Sequence, residues 1–326
     1  MYLGMMLNCK EFGMGYEDNK AYCDAIETLN SEYKALLSSP VIERNRKAKK
    51  IISLLAHFRF DKIVKMLKLR SKMARIDAVY REQSNGSTDY LRQYYENTSF
   101  RNSRIAVCYC IIGNYDDFQV PIFYPHNLDY YLFTDKSFSA NGIKVMDIPE
   151  KLKGLPPTNI NRYIKMHPGE FFPGYDHAIY LDGNVRVISD IRQWIVPAAD
   201  SPAGIAMHLH PSRDCIYEEA EVCIQIGKGN PAGIAEQVKK YRSLGMPAHF
   251  GLFEATAIVV DLKSHKAMEL LDLWYEEFSR SGSGRDQLSL PFVLWKIGSS
   301  IDSIGVLGNN IKDSRLLRVE TKHNRF

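Results

Sequence analysis

The 326 residues have the composition of an ordinary soluble protein, with 45% hydrophobic side chains, 25% charged side chains and a formal net charge of +4. No apolar run approaches the roughly 18 residues of a membrane span, which excludes an integral membrane protein. The N-terminal residues lack the basic and apolar segments of a secretory signal. The six cysteines form no C-x-x-C pair, which argues against a zinc knuckle or a disulfide scaffold and favours the reducing cytoplasm.

The positive charge is concentrated in residues 41–76, which contain twelve Lys and Arg against two acidic residues. Apolar residues recur there at helical spacing, which predicts amphipathic helices. They could form a helical hairpin packed on the rest of the chain, or a basic arm in peripheral contact with the anionic inner face of a membrane. We expect no nucleic-acid binding, because basic and aromatic residues are not interleaved as a stacking platform requires.

Beyond residue 104 the pattern changes to strands that alternate with helices. Short apolar runs predict strands at residues 105–112, 129–135, 177–181, 204–210 and 255–262. Amphipathic patterns predict helices at residues 159–171, 231–244, 263–280 and 287–296. This alternation predicts an α/β sandwich with a mainly parallel sheet. We therefore divide the chain into a helical N-terminal region, 1–100, and an α/β domain, 101–326, with polar residues 97–103 as the linker.

Carboxylates follow three of the predicted strands. Asp116 and Asp117 come after the first strand, Asp135 closes the second and Asp182 closes the third. Ligands of such sheets bind at the carboxyl ends of the strands, so these side chains are expected around one crevice. A group of oxygen ligands there suits a hard divalent cation such as Mn²⁺ or Mg²⁺.

The segment Asp182-Gly183-Asn184 is the most informative motif. Its two polar side chains can reach one metal ion, which would neutralise charge on a leaving diphosphate. The same residue types are also common in plain turns, so the motif alone leaves both interpretations open. Upstream, Arg162 and Lys165 are three residues apart on a predicted helix and share a face, where they could hold a diphosphate or simply face water.

The order of a strand, an Arg/Lys helix, Y-L-D-x-N, an apolar strand and a D-Q helix resembles nucleotide-sugar glycosyltransferases of the GT-A fold. Residues 161–191 and 285–290 are similar to a plant and bacterial glycosyltransferase-like family once known only as a domain of unknown function. Its members share K-x-x-P-H, D-x-N and R-D-Q motifs; here the first reads Lys165-Met166-His167-Pro168, with His and Pro exchanged. A weaker likeness reaches the glycogenin-like retaining transferases.

The resemblance implies a GT-A-like α/β/α sandwich with a mainly parallel mixed sheet, and a role for each motif residue. Nucleotide or diphosphate binding is implied for Ile112, Gly113, Asn114, Tyr115, Asp135, Arg162 and Lys165. The implied metal ligands are Asp182, Asn184 and His323, and the implied catalytic residues are Glu254, Asp286 and Gln287. Contact with the sugar or acceptor is implied for His210, Arg213 and Asp214.

Some of these residues also have structural explanations. Asp286 is well placed to cap the helix predicted at residues 287–296. His208 and His210 alternate along a predicted strand, so one of them is expected to face the core. His323 is close enough to the C-terminus to be an ordinary tail residue, and Asn184 replaces the second Asp of the glycogenin-like metal motif.

The function that these patterns favour is metal-dependent transfer of a sugar from a nucleotide diphosphate, with a UDP-sugar favoured, to a hydroxyl acceptor. A setting in surface polysaccharide or glycoconjugate synthesis follows from the resemblance, and retention of configuration is slightly favoured over inversion. One alternative is a non-catalytic nucleotide- or carbohydrate-binding module of the same fold. The other is a phosphatase-like hydrolase with Asp182 as nucleophile.

Overall fold

The computed structural model describes residues 90–320, so the predicted basic helices at 41–76 and the tail residue His323 lie outside the described part. Its first elements are two short helices, α1 (Tyr90–Glu96) and α2 (Thr98–Asn102). Helix α2 lies within residues 97–103, where the sequence pattern predicted a loop. It forms because the Asn97 side chain accepts a hydrogen bond of 2.9 Å from the Ser99 amide and so caps the first turn.

Seven strands form one mixed sheet. They are β1 (Ile105–Ile111), β2 (Leu128–Thr134), β3 (Ile143–Met146), β4 (His177–Leu181), β6 (Ile205–Leu209), β7 (Phe253–Asp261) and β8 (Gly305–Gly308). Their order across the sheet is β3-β2-β1-β4-β7-β6-β8. Every neighbouring pair is parallel except the two that include β7, which is antiparallel to both β4 and β6. The predicted mainly parallel sheet is therefore confirmed.

The centre of the sheet is buried on both faces. All residues of β1 and β4 are buried, as expected for continuous apolar runs in a sheet covered on both sides. Side chains of Ala106, Cys108 and Cys110 pack with residues of the helices that cover one face. The predicted α/β sandwich is confirmed by this arrangement.

The larger helices begin and end where the sequence dictates. Helix α3 (Pro157–Met166) is followed at once by α4 (Pro168–Phe171), because Pro168 cannot continue the α3 hydrogen-bond ladder. The remaining helices are α5 (Ile195–Asp200), α6 (Ile216–Gln225), α7 (Pro231–Ser243), α8 (His265–Ser281) and α9 (Ser289–Lys296). Helix α8 ends at Gly282, whose φ of 63° is the left-handed conformation that glycine adopts readily.

A second, two-stranded sheet lies directly after β4. Strand β5 (Val185–Val187) pairs antiparallel with β9 (Leu317–Val319), near the end of the described chain. The pairing continues to Asn184, whose carbonyl accepts a 2.9 Å hydrogen bond from the Glu320 amide. The end of the chain is thus brought beside the Asp182–Asn184 turn.

Within residues 90–320, none of the helices combines the length and the apolar composition that crossing a bilayer requires.

Candidate active site

One edge of the large sheet collects the loops that carry the predicted site residues. Strands β1, β2 and β4 are adjacent and parallel, so their carboxyl ends meet at this edge. Strand β6 runs in the same direction, and antiparallel β7 contributes its amino end. The predicted gathering of residues from distant parts of the chain at one sheet edge follows from this topology.

The loop after β1 is joined to the end of β2. The Gly113 amide donates a 3.0 Å hydrogen bond to Asp135 Oδ2, and Lys136 donates through Nζ to Asn114 Oδ1. Gly113 and Asn114 both have positive φ, 67° and 62°, which turns the chain sharply after the buried Ile112. Tyr115 is 59% exposed beside this turn. The segment predicted to bind the nucleotide and its partner Asp135 therefore form one unit.

The Asp182-Gly183-Asn184 turn lies between β4 and β5. Asp182 is held by a 3.0 Å hydrogen bond from its amide to the Thr256 carbonyl of β7. Gly183 lies in a tight space, because a Cβ there would lie 2.7 Å from Ile111 Cδ1 and 3.2 Å from Asp116 Cβ. The turn is therefore pressed against the end of β1, and Asp116 lies next to it.

Asn184 is buried, and only one of the two polar atoms of its side-chain amide forms a hydrogen bond with the described residues. Its Nδ2 donates a 2.8 Å hydrogen bond to the Glu320 carbonyl, whereas Oδ1 has no hydrogen-bond partner among the described residues. A buried oxygen without a donor is costly unless something else satisfies it. The Oδ1 atom and the nearby Asp182 carboxylate are oxygen ligands of the kind that a hard divalent cation takes. The chemistry of these two residues fits the metal that the resemblance implies.

Arg162 and Lys165 lie on α3 and share one carboxylate. Lys165 Nζ is 2.7 Å and Arg162 Nε is 3.0 Å from Asp286 Oδ2. Lys165 and Asp286 are each 2% exposed. The two cations predicted to hold a diphosphate are therefore already paired. Asp286 does not cap α9 with its side chain, as its alternative explanation required, but forms this buried cluster.

The cluster shifts the pKa values of all three groups. Burial alone would raise the pKa of Asp286, but the charges of Arg162 and Lys165 lower it far below the usual carboxyl range. Burial lowers the pKa of Lys165, and Asp286 opposes part of that effect. Burial would also lower the pKa of Arg162, but Asp286 outweighs it and raises the pKa. Asp182 favours the charged form of both cations, which indicates that its carboxylate is close to the cluster.

Gln287 connects the cluster to β7. Its Nε2 donates a 3.0 Å hydrogen bond to the Phe253 carbonyl, and its Oε1 accepts a 3.1 Å bond from Arg285 Nη2. The Trp274 indole donates a 2.8 Å bond to the Asp286 carbonyl. The Asp286-Gln287 pair predicted to be catalytic is thus held firmly from three directions.

Glu254 lies near the amino end of β7, on the edge that carries Asp182. Its Oε2 accepts a 3.1 Å hydrogen bond from the Ile311 amide. Burial raises the pKa of Glu254, which the Ile311 amide and Lys312 partly oppose and the charge of Asp182 reinforces. Glu254 therefore has a more basic carboxylate than Asp286, although both were predicted in the same role.

The loop after β6 carries the residues predicted to contact the sugar or acceptor. His210 Nδ1 accepts a 3.0 Å hydrogen bond from the Arg213 amide, and Arg213 Nη2 lies 2.6 Å from Glu219 Oε2. Asp214 is directed elsewhere, with its Oδ1 at 2.6 Å from His249 Nδ1. His210 and Arg213 therefore share one network and Asp214 belongs to another.

His208 is the core member of the alternating histidine pair. It is 2% exposed and packs edge-on against Trp194, with a ring separation of 5.3 Å. Burial lowers its pKa to about 4, so the ring is neutral at physiological pH. The expectation that one of the two histidines faces the core is confirmed.

Two residues at this edge, Asn161 and Glu219, were missed by the sequence patterns. Asn161 Nδ2 donates to the Cys110 carbonyl at 2.7 Å and to Tyr180 Oη at 2.9 Å. Buried Glu219 receives Arg213 and is approached by Arg285 Nη2 at 3.9 Å. The position of Asn161 one residue before Arg162 was a usable signal, but nothing in the local sequence identifies Glu219 among the acidic residues of α6.

Comparison with known proteins adds a family likeness. Residues 159–316 match the model of the TOD1/MUCI70, glycosyltransferase-like domain. This segment contains Arg162, Lys165, Asp182, Asn184 and Asp286. The match confirms the predicted resemblance to a glycosyltransferase-like family and agrees with the GT-A-like fold class expected from it. No curated protein matches the chain at a significant level.

Two solved structures also resemble the chain at low identity. One is the galactosyltransferase LgtC in complex with donor and acceptor sugar analogs, with 15% identity, a TM-score of 0.36, and coverage of 63% of this chain and 73% of that one. The other is the apo bifunctional glycosyltransferase WbbM, with 12% identity, a TM-score of 0.38, and coverage of 63% and 39%.

Proposed function

We propose that the chain is a glycosyltransferase that moves a sugar from a nucleotide-diphosphate donor, with a UDP-sugar favoured, to a hydroxyl acceptor. The observation that carries the proposal is the Asp182–Asn184 turn. Its two oxygen-bearing side chains lie at the sheet edge that also carries the Gly113–Asp135 unit, and no group within residues 90–320 donates a hydrogen bond to the buried Asn184 Oδ1. The match of residues 159–316 to a glycosyltransferase-like domain supports the same reaction.

In the proposed site, Asp182 and Asn184 hold a Mn²⁺ or Mg²⁺ ion. When bound, such an ion neutralises the negative charge that grows on the departing diphosphate. The loop from Ile112 to Tyr115 and the Asp135 carboxylate would receive the base and ribose. His323, beyond the described residues, stays a predicted third ligand. Surface polysaccharide or glycoconjugate synthesis remains the proposed setting.

The reaction breaks the bond between the anomeric carbon and a phosphate oxygen and forms a bond from that carbon to the acceptor oxygen. The acceptor proton must leave during this exchange. If configuration is inverted, we assign the proton to Glu254, because burial raises its pKa and makes its carboxylate the better base. If configuration is retained, as the resemblance slightly favours, the same carboxylate stabilises the positive sugar ring and the departing phosphate oxygen takes the acceptor proton.

Asp286 has a different part in this proposal. A carboxylate paired with two cations is a poor proton acceptor at neutral pH. We assign it to positioning: it fixes Arg162 and Lys165 beside Asp182, so that the site presents an ordered set of charges to the donor. Preorganised charges of this kind cost no rearrangement when the reaction occurs.

A non-catalytic binding module is the second candidate, and one observation favours it. The two cations predicted to grip the diphosphate are already neutralised in part by Asp286. A site whose Arg162 and Lys165 are paired in this way could bind a nucleotide or carbohydrate without promoting transfer.

Turnover separates the two candidates. Purified chain is incubated with a panel of nucleotide sugars and Mn²⁺, and release of the nucleoside diphosphate is measured. We expect release with at least one donor and a loss of about 10²–10³-fold in the Asp182→Ala variant. Asp302→Ala is the control, because Asp302 is exposed at the opposite edge of the sheet, before β8. Nucleotide binding without turnover would support the module, and wild-type turnover in Asp182→Ala would overturn the site.

A further inference from the structure

A thiol, a carboxylate and an imidazole lie close together where the chain leaves β6 and where it enters β7. Cys215 precedes α6, Glu218 lies in its first turn, and His249 lies in the loop between α7 and β7. One potential ligand atom from each of the three lies within 4.8 Å of the others. This set differs from the oxygen-only pair at Asp182 and Asn184, because sulfur and imidazole nitrogen favour Zn²⁺ over Mn²⁺ or Mg²⁺.

The spacing of the ligand atoms is close to what zinc needs. Zinc–ligand bonds of about 2.0–2.3 Å in a tetrahedral site place the ligand atoms roughly 3.3–3.8 Å from one another. His249 Nε2 is already 3.9 Å from Glu218 Oε1. The side chains of Glu218 and His249 are more than half exposed, at 51% and 58%, so small rotations can bring them closer to the buried Cys215.

The orientation of His249 is set by a carboxylate. Asp214 Oδ1 lies 2.6 Å from His249 Nδ1, which leaves Nε2 directed towards Glu218. A carboxylate on the second ring nitrogen is the arrangement that orients zinc-binding histidines and increases their basicity. His249 also has a φ of 56°, a conformation that few residues other than glycine adopt.

Hydrogen bonds already join the segment after β6 to the segment before β7. The Gly251 amide donates a 2.8 Å hydrogen bond to the Asp214 carbonyl, and the His210 amide donates a 2.9 Å bond to the Leu252 carbonyl. The Tyr217 hydroxyl donates a 2.8 Å bond to the Met246 carbonyl. The ligands therefore lie on two segments whose relative position does not depend on an ion: the loop after β6 with the first turn of α6, and the loop before β7.

We propose that Cys215, Glu218 and His249 bind Zn²⁺, with Asp214 orienting the histidine. The three protein ligands leave a fourth position for water or another small ligand. The ion would join the loop after β6, which carries His210 and Arg213, to the loop before β7, which leads to Glu254. It would thereby stabilise one side of the candidate active site. The zinc proposal does not depend on the glycosyltransferase proposal.

Metal content of the full chain tests the site. Protein stripped with a chelator is titrated with Zn²⁺ in competition with a chromogenic chelator, and Co²⁺ is used separately as a spectroscopic probe. We expect one tight Zn²⁺ site per chain and a thiolate-to-cobalt charge-transfer band. Cys215→Ser should lose the band and the tight site, and His249→Asn should lose the tight site. Asp214→Asn should weaken binding by about 10–100-fold, as loss of an orienting partner commonly does.

The controls separate this site from others. Cys223→Ser changes a second buried thiol, which lies on α6, and Asp182→Ala removes a proposed ligand of the Mn²⁺ or Mg²⁺ ion; both variants should keep the tight Zn²⁺ site. Circular dichroism verifies that each variant folds, and His249→Asn is suited to this because asparagine tolerates a positive φ. Wild-type zinc affinity in folded Cys215→Ser or His249→Asn would overturn the proposal. The proposal would also be overturned if the wild type bound no zinc tightly. A third contradicting result is loss of tight zinc binding in Asp182→Ala while Cys215→Ser retains it.

Discussion

Asp286 Oδ2 lies 2.7 Å from Lys165 Nζ, and the two residues are 121 positions apart in the chain. The pair joins α3, beneath the ends of β1 and β4, to the short turn that precedes α9. Arg162 contacts the same oxygen at 3.0 Å, so one buried carboxylate compensates two cations. The electrostatics of the candidate site depend on this relationship, because Asp182 is close enough to influence both cations.

Replacing Asp286 by Asn should destabilise the chain strongly. The variant keeps the shape of the side chain but leaves the buried Lys165 and the partly buried Arg162 without their counter-charge. Removing one partner of a buried pair commonly costs about 3–5 kcal/mol. Urea denaturation measures the difference. The matched control is Glu150→Gln, which removes an exposed ion pair with Lys153 and should leave the unfolding midpoint unchanged. Equal effects of the two substitutions would contradict the assigned role of Asp286.

The ion pairs of Asp286 also predict that the folded chain loses stability in acid. The folded-state pKa of Asp286 is depressed below its unfolded value, so its contribution to stability is complete above pH of about 4 and is lost as the pH falls towards the lower folded value. The difference in unfolding free energy between the wild type and Asp286→Asn should therefore be constant from pH 7 to about 4 and decrease below that range. A difference that grows on acidification would show that the sign is wrong.

The fold was predictable from sequence where periodicity was strong. The five predicted strands agree with β1, β2, β4, β6 and β7 to within about two residues at each end. Strands β3, β5, β8 and β9 were missed, because three or four residues are too few to display a period. The helix predicted at residues 159–171 is divided at His167, where Pro168 follows.

The residues of the candidate site were predictable from the sequence, but the hydrogen bonds and ion pairs between them were not. The spacing of Arg162 and Lys165 correctly placed them on one helix face, and the strand order brought Asp182 beside them. No local pattern could reveal that Asp286 is their shared partner, since that contact depends on how α8 packs against both α3 and α9. Nor could it reveal that β9 delivers the Glu320 carbonyl to Asn184.

His208 predicts a second pH dependence. Its pKa is lowered from 6.5 to about 4 by burial, so the unfolded chain binds more protons than the folded chain between these values. The contribution of neutral His208 to the free energy of unfolding is therefore fully present above pH of about 6.5. It is lost as the pH drops, by up to about 3 kcal/mol for a shift of this size. His208→Leu removes the titrating ring and should flatten the stability profile between pH 6.5 and 4. An unchanged slope in the variant would refute the assignment.

Asn184→Asp tests the metal-binding oxygen. The substitution removes the Nδ2 donor to Glu320 and places a carboxylate against that carbonyl, which should cost about 1–3 kcal/mol in the absence of metal. Addition of Mn²⁺ should raise the melting temperature of Asn184→Asp more than that of the wild type, because the added charge strengthens the metal site. The Asp182→Ala/Asn184→Asp double variant is the control and should lose this gain. An equal Mn²⁺ response in wild type and Asn184→Asp would argue against an ion at this turn.

Glu254 should set the acidic limb of the pH–rate profile. Either proposed role needs the ionised carboxylate, and its pKa is raised by burial. The rate of transfer should therefore fall as the pH drops through a value above the ordinary glutamate range. Glu254→Gln should be slower by roughly 10²-fold and should lack this limb. Persistence of the limb in Glu254→Gln would assign it to another group.

Calorimetric titration with a nucleoside diphosphate, with and without Mn²⁺, tests the central claim most directly. The claim is that Asp182 and Asn184 hold a divalent ion that in turn binds the donor diphosphate. Wild type and Asp302→Ala should bind uridine diphosphate tightly when Mn²⁺ is present and weakly when it is absent. Asp182→Ala should bind weakly under both conditions. Equal affinity with and without Mn²⁺ in the wild type, or unchanged metal-dependent binding in folded Asp182→Ala, would contradict the account.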